Sequence, residues 1–195
     1  MLNAAYLGVS HKKMDPYLAE LKKKVANPDG YLHFYDGGYL RGLAWEAESA
    51  FENGGVSGCI AATVIYQQVI EELLFNLLRL SEFIVQIAIY PNQIAIMPNG
   101  SELTFGKLVE EFNSICMEFK EKGALVGACR KFNKVRRFVA HQLASEADEN
   151  AVVARTSEVS ELYQEVFELW YCGAKFMHRE LRKQIEASKE QIANG

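Results

Sequence analysis

The chain is poor in proline, has no excess of positive charge and contains no closely spaced cysteines, and each of these absences excludes a class of protein. Only four prolines occur among 195 residues, and long segments carry helical rather than alternating hydrophobic patterns, which predicts an all-α fold. Lysine and arginine together number 21, against 25 aspartates and glutamates. The formal charge of −4 excludes a protein that coats nucleic acid with its whole surface, so any anion site must be local.

Metal and redox chemistry also lack their usual signals. The four histidines are too scattered to predict a metal cluster, and no cofactor is expected. The cysteines have no short paired spacing, which argues against a zinc site and a redox C-x-x-C motif. Three of them fall on apolar helical faces and are predicted to be small buried thiols. The four are Cys59, Cys116, Cys129 and Cys172.

No segment predicts a membrane protein. The longest uncharged stretch, residues 83–101, is interrupted by Pro91, Pro98 and Gly100. It therefore cannot supply the roughly 20 continuous apolar residues of a membrane span. The first ten residues are short of a secretion signal and are followed by charge. A cytoplasmic location and no membrane association are therefore expected.

With 49% hydrophobic and 24% charged residues, the chain is typical of one globular unit. We divide it into an N-terminal helical extension (residues 1–56) and a helical domain (residues 57–195) that together form one compact bundle. Thr104 is predicted to cap the fourth helix and Gly123 to end it. The predicted helices span residues 15–25, 40–52, about 57–90, 104–122, 124–146 and 154–192.

Residues 84–97 allow two interpretations. Their isoleucines flank a Tyr90-Pro91-Asn92 turn, which is compatible with a β-hairpin. They are equally compatible with the last turns of the long helix followed by an extended apolar arm. We favour a helix ending near Tyr90, because no other strand is predicted to complete a sheet.

The densest cationic segment lies on the fifth predicted helix. Five of the eight residues 130–137 are basic, none is acidic, and a histidine follows four and five residues after an arginine pair. Arginine binds phosphate through a fork of N–H donors, and histidine exchanges protons near neutral pH. Together they could bind a phosphodiester and move a proton on it. The residues are Arg130, Lys131, Lys134, Arg136, Arg137 and His141.

Helical geometry divides this segment into two faces. Ala128, Phe132, Val135, Val139 and Leu143 form the predicted core stripe, with Leu125 beside it, and Arg130, Asn133, Lys134, Arg137 and His141 lie opposite. On an ideal helix Arg137 is about 40° from His141, whereas Arg136 is about 140° away and projects to the core edge. The simplest interpretation is a solvated cationic face. The absence of acids within the run and the position of Arg136 count against it.

The segment from Phe132 to His141 resembles the signature of HEPN domains. In that signature an arginine, usually followed by a polar residue such as asparagine, is separated by four to six residues from a histidine. Arg136-x4-His141 matches this spacing, with Arg137 in the polar position. Upstream, residues 103–112 resemble the T-[LF]-G-x-L helix start of one branch of the superfamily. The resemblance covers roughly residues 57–170.

The resemblance implies a four- or five-helix bundle that dimerises with two motif helices facing each other across a cleft. It implies a metal-independent endoribonuclease in which His141 acts as general acid or base and Arg136 stabilises the pentavalent phosphate. We assign Asn133, Arg137, Lys134 and Arg130 to substrate binding. A role in prokaryotic defence or stress response, with an antitoxin or other partner protein, is likewise implied only by the resemblance.

Two alternatives remain open at this point. Arg137 stands where asparagine is usual, and other members of the superfamily are non-catalytic modules that bind a nucleotide, an RNA or a protein partner. The third interpretation is a purely structural protein whose basic face pairs with the acidic residues 146–149 of a neighbour. A homodimer is expected because residues 57–97 carry only four charges. They therefore present more apolar surface than one small bundle buries.

Two further groups receive structural predictions. Glu71 could orient the catalytic arginine, but Glu71 and Glu72 diverge by about 100° and cannot form an acid pair. The aromatic residues of the second and last helices are predicted to lie in the core or at a dimer interface rather than to stack on bases. They are Trp45, Phe167, Trp170 and Tyr171.

Overall fold

The computed structural model describes residues 37–89, 103–143 and 149–193, together with Lys23, and gives side chains for residues 37–89, 103–140 and 157–187. These residues form five α-helices and no strand, so the predicted all-α class is confirmed. The helices are α1 (Gly37–Glu52), α2 (Gly55–Ala88), α3 (Phe105–Ile115), α4 (Lys122–Leu143) and α5 (Glu149–Ala193).

Helix α2 is the central element. Of its 34 residues, 17 are buried, and it contacts each of the other four helices. Such an element must be apolar around most of its circumference, which is the pattern that its sequence shows. One core includes members of every helix, so Leu40 and Ala47 join α1 to the same core as residues 57–195. Other core members are Ile70, Leu77, Phe112, Phe132, Val166 and Met177.

Helices α1 and α2 form a tight helical hairpin. Gly54 and Gly55 both have a positive backbone angle φ, 74° and 72°, which residues other than glycine rarely adopt. Gly58 then lets the two helices approach closely, because a β-carbon at this position would lie 2.2 Å from the carbonyl oxygen of Ala50. Helix α1 ends at Glu52, as predicted.

Helix α3 is shorter than the sequence predicts. It ends at Ile115 rather than at Lys122, and Gly123 lies in the first turn of α4 instead of ending α3. The prediction was wrong because side chains from other parts of the chain satisfy the backbone groups that the earlier helix end leaves unpaired. The backbone N–H of Met117 donates to Ser81 Oγ at 2.8 Å.

The buried Lys122 completes this bend. Its ammonium donates to the carbonyl oxygen of Cys116 and to Glu118 Oε1, each at 2.7 Å. A lysine side chain that satisfies a helix-end carbonyl replaces the glycine cap that the sequence suggested.

The other helix bounds differ from the prediction by a few residues. Helix α1 begins at Gly37 instead of residue 40, and α5 begins at Glu149 instead of residue 154. An acidic residue is favourable at a helix N-terminus, so Glu149, one of the acidic residues 146–149, belongs to α5. Residues 84–88 are helical, as favoured. The predicted helix 15–25, the possible arm at 90–97 and residues 144–148 lie outside the described residues.

Helix α2 is long and apolar enough to cross a membrane, but a helix buried in the core of a bundle can have the same length and hydropathy. Val64 is the only large hydrophobic residue of α2 that is markedly exposed. The apolar surface of residues 55–89 is thus covered largely within one chain. These residues therefore do not show the excess of apolar surface that predicted a dimer. Dimerisation stays a prediction that depends on the resemblance to HEPN domains.

The predicted small buried thiols are confirmed at Cys59, Cys116 and Cys129, whereas Cys172 is exposed. Burial raises the pKa of the Cys116 and Cys129 thiols to about 12 in both cases. These two thiols are therefore protonated and unreactive at neutral pH.

Candidate functional site

Packing fixes the rotation of α4 as the sequence predicts. Leu125, Ala128, Phe132, Val135 and Val139 are all buried, so the predicted core stripe is confirmed for them. The side chain of Leu143 lies outside the described residues. Because the stripe faces α2, α3 and α5, the cationic face turns toward solvent.

Acids from other helices neutralise two cations of the basic run. Arg130 donates from Nε and Nη2 to the two carboxylate oxygens of Glu110 on α3, at 2.9 and 2.7 Å. The hydrogen bonds from Arg130 lower the pKa of the Glu110 carboxyl. Lys131 Nζ lies 3.6 Å from Glu165 Oε1 on α5. The run lacks acids in sequence but not in space, which the sequence could not reveal.

Lys134 and Arg137 carry the remaining free charge. Both are exposed, and neither has an ion pair with a described side chain. They are three residues apart and therefore neighbours on one helix face. Two adjacent unpaired cations can contact successive oxygens of a phosphodiester backbone.

Arg136 occupies a different environment, at the junction of three helices. Its Nη1 donates to Gln67 Oε1 on α2 at 2.7 Å, and Gln67 Nε2 donates to Glu71 Oε1 at 2.7 Å. The guanidinium carbon lies 5.9 Å from the centroid of the Phe105 ring on α3, within cation–π range. We call Gln67, Glu71, Phe105, Asn133 and Arg136 the arginine corner.

The charge of Arg136 is only partly compensated. Burial lowers the pKa of its guanidinium, the carboxylate of Glu71 opposes this effect, and the charge of Arg137 adds to it. An arginine stays protonated under such shifts. The corner therefore holds a permanent cation at the core edge, oriented by an amide that is itself oriented by a carboxylate.

Polar groups of the corner are incompletely paired. Arg136 Nε and Asn133 Oδ1 are both buried and have no hydrogen-bond partner among the described residues. A buried unpaired polar group costs about 1–3 kcal/mol, so two of them three residues apart require an explanation. Asn133 Nδ2 lies against Gly106, where an added β-carbon would be 3.1 Å away. The N-terminus of α3 thus approaches the same corner.

The N-terminus of α3 adds partial positive charge. Thr104 has the extended conformation of an N-cap residue, but its side chain makes no capping hydrogen bond. The N–H groups of the first turn therefore lack that partner, and the helix dipole directs positive potential toward Asn133 and Arg136. The T-F-G pattern at residues 104–106 thereby acquires a structural role beside the basic helix.

His141 belongs to α4, and its side chain lies outside the described residues. Its backbone position follows Arg136 by about 7.5 Å of rise and about 140° of rotation. A single straight helix consequently projects Arg136 and His141 to different sides. Arg137, about 40° away from His141, is the nearer neighbour on the exposed face.

Sequence reasoning did not assign Gln67, Asn133 or Phe105 to the environment of Arg136. A signal for Gln67 was present, because Gln67 and Glu71 are polar residues four apart on an otherwise apolar helix. Glu71 and Glu72 diverge as expected: Glu71 accepts from Gln67, whereas Glu72 lies 3.6 Å from Arg79.

The chain matches no known family model, no curated protein and no solved structure. The resemblance to HEPN domains therefore depends on the residues quoted for it. The described structure independently establishes the all-α bundle.

Proposed function

We propose that this protein is a metal-independent endoribonuclease of HEPN type, whose catalytic residues are Arg136 and His141. The observation that carries the proposal is the position of Arg136. The family pattern nominates this arginine, and it is the cation of the basic run that a polar relay from α2 holds at the core edge. A purely solvating arginine needs no such relay.

The proposed chemistry is transesterification within RNA. The ribose 2′-oxygen attacks the adjacent phosphorus and loses its proton to a base, while the bond from phosphorus to the 5′-oxygen breaks and that oxygen takes up a proton. His141 exchanges one of these protons. Arg136 and the N-terminus of α3 stabilise the additional negative charge of the pentavalent phosphate. The products are a 2′,3′-cyclic phosphate and a 5′-hydroxyl.

The remaining substrate contacts divide according to their pairing. Lys134 and Arg137 are exposed and available to backbone phosphates. Arg130 must first leave Glu110, and an exposed pair of this kind is weak because water and salt screen the two charges. Asn133 lies beside Arg136 and is assigned to orienting the phosphate or the histidine.

A second subunit resolves the divergence of Arg136 and His141. If two copies of α4 face one another, the cleft between them lies at the boundary of the core and exposed faces. Arg136 and His141 then approach one phosphate from different sides or from different subunits. The homodimer is therefore part of the proposal.

A non-catalytic binding module is the second candidate. Arg137 favours it, because an arginine replaces the usual asparagine and leaves an unpaired cation on the exposed face. The cluster would then hold RNA or a nucleotide through charge without activating the 2′-hydroxyl. Phosphate binding by either candidate weakens steeply as salt rises.

Cleavage of a mixed-sequence RNA in EDTA tests the proposal. The variants are Arg136→Ala, Arg137→Ala and His141→Ala, each assayed for cleavage and for binding. Arg182→Ala is the matched control, since it removes an exposed arginine of α5 that lies outside the basic run.

We expect His141→Ala to lose on the order of 100-fold or more in cleavage while keeping most binding. Arg136→Ala is expected to lose about 100-fold, and Arg182→Ala to stay within about twofold. Unchanged activity in His141→Ala would end the ribonuclease proposal. Binding without cleavage by the unsubstituted protein would support the non-catalytic module.

A further inference from the structure

A concave site lies on another face of α2, away from the arginine corner. It is a cleft of about 360 Å³ between α1, α2 and α5, within the usual range for a small-molecule site. We call it the aromatic cleft. Five aromatic side chains line it, and they are Trp45, Tyr66, Tyr163, Phe167 and Trp170.

The rings form a continuous wall. Tyr66 and Tyr163 are stacked with their centroids 4.3 Å apart. Phe167 follows at 6.3 Å from Tyr163, and Trp170 at 5.4 Å from Phe167. These spacings are typical of directly interacting aromatic pairs, so the wall is built into the fold.

Trp45 stands apart from this wall. Its side chain is 76% exposed, so of its two predicted places, the core and a dimer interface, the core is excluded, whereas Trp170 lies in the core. A large aromatic ring beside a cleft and open to solvent marks a binding surface more often than a packing element. Phe167, 40% exposed, contributes a second accessible ring.

Charged side chains of α1 surround the exposed Trp45. The cleft itself is lined by Arg41 and Glu48. An adjoining depression, which shares Trp45 and Glu48 with the cleft, adds Glu46 and Glu52. None of these four charged groups has an ion pair with a described side chain.

Glu48 lines the cleft together with the stacked tyrosines, and its side chain is exposed. Burial is the main cause that raises the pKa of Tyr66, and burial raises the pKa of Tyr163 to about 12; the charge of Glu48 adds to the rise in both cases. An exposed carboxylate thus shares the cleft with the aromatic wall.

We infer that the aromatic cleft binds a small organic cation, with an alkylated ammonium group as the recognised chemistry. Aromatic faces attract such a cation through their quadrupoles, and Glu48 supplies the opposite full charge. An anion beside Trp45 would meet the carboxylates of Glu46, Glu48 and Glu52 against the single guanidinium of Arg41. A hydrated metal ion would gain nothing from an apolar ring wall.

The cleft is independent of the arginine corner. Tyr66 faces the cleft and Gln67 faces the corner, so α2 separates the two sites. The inference therefore stands whether or not the protein cleaves RNA.

Intrinsic fluorescence offers a direct readout. The chain has two tryptophans, Trp45 and Trp170, and both line the cleft. The probe is choline, and its neutral isostere 3,3-dimethyl-1-butanol has nearly the same shape without the charge. We expect choline to change the emission saturably at millimolar concentration and the isostere to bind at least about tenfold more weakly.

Two substitutions examine the cation's partners. Glu48→Gln removes the charge and keeps the shape, and Trp45→Leu removes an exposed ring while Trp170 still reports. Each is expected to weaken choline binding about tenfold. Glu111→Gln and Tyr171→Leu are matched controls, because both residues are exposed and neither lines the cleft. Failure of choline to bind, equal binding of the isostere, or unchanged affinity in Glu48→Gln would overturn the inference.

Discussion

The two faces of α2 that carry Tyr66 and Gln67 hold polar groups beside the core in different ways. Tyr66 and Gln67 are adjacent in sequence and diverge by about 100°, one into the aromatic cleft and the other into the arginine corner. The corner depends on two directed hydrogen bonds around one charge. The cleft depends on ring stacking and buried area. Substitutions on the cleft side should therefore affect stability most, and those on the corner side should affect activity most.

Leu73→Ala should give the largest effect on stability. Leu73 lines the inner side of the cleft and is 2% exposed, so truncation removes buried area and leaves a cavity. We expect a loss of about 2–5 kcal/mol in the free energy of unfolding, measured by urea denaturation. Val64→Ala, at an exposed position of the same helix, should change it by no more than about 0.5 kcal/mol. A similar loss for both variants would contradict the contrast.

Gln67→Leu should give the opposite profile. The substitution removes the acceptor that holds Arg136 Nη1. A hydrogen bond to a charged group contributes about 1.5–3 kcal/mol to stability, and the low end applies because Arg136 is only half-buried. We expect cleavage to fall about tenfold through misplacement of Arg136, while RNA affinity stays within about twofold.

Two variants control this experiment. Gln68→Leu changes the adjacent, exposed glutamine and should leave cleavage unchanged. Gln67→Glu restores an acceptor for Arg136 and should recover most of the lost activity. Equal losses of binding and cleavage in Gln67→Leu would show that Gln67 has only a structural role.

Alkaline pH should produce the smallest effect and should act on the cleft. Burial raises the pKa of Tyr163 to about 12 from an ordinary value of 10.0, and also raises that of Tyr66. Because the folded-state pKa is raised, the stabilising contribution is complete below about pH 10 and is lost as the pH rises toward about 12. Tyrosinate absorbance should show a late-titrating group that disappears in Tyr163→Phe. Early titration of every tyrosine in the folded protein would contradict this environment.

The fold could be predicted where one helix carries its own signal. The periodicity of α4 predicts its core stripe, and Asn53-Gly54-Gly55 predicts the end of α1. The end of α3 could not be predicted, because Ser81 and Lys122 satisfy its terminal groups from other parts of the chain. Local propensity contains no information about such partners.

The candidate site divides in the same way. The resemblance to HEPN domains nominates Arg136 and His141, and helical geometry correctly places Arg136 at the core edge. The partners Glu110 and Glu165 of the basic run come from other helices, so sequence overestimates the free charge of the run. Trp45 was predicted to lie in the core or at a dimer interface, and the packing of α1 leaves it exposed.

The chemistry of the RNA ends after digestion in EDTA distinguishes transesterification from hydrolysis by water. We expect fragments with 5′-hydroxyl ends, which a polynucleotide kinase labels without prior phosphatase treatment, and with 2′,3′-cyclic phosphate ends. These ends should be absent with His141→Ala and strongly reduced with Arg136→Ala. Fragments with 5′-phosphate and 3′-hydroxyl ends, or fragments that His141→Ala produces equally well, would contradict transesterification by Arg136 and His141.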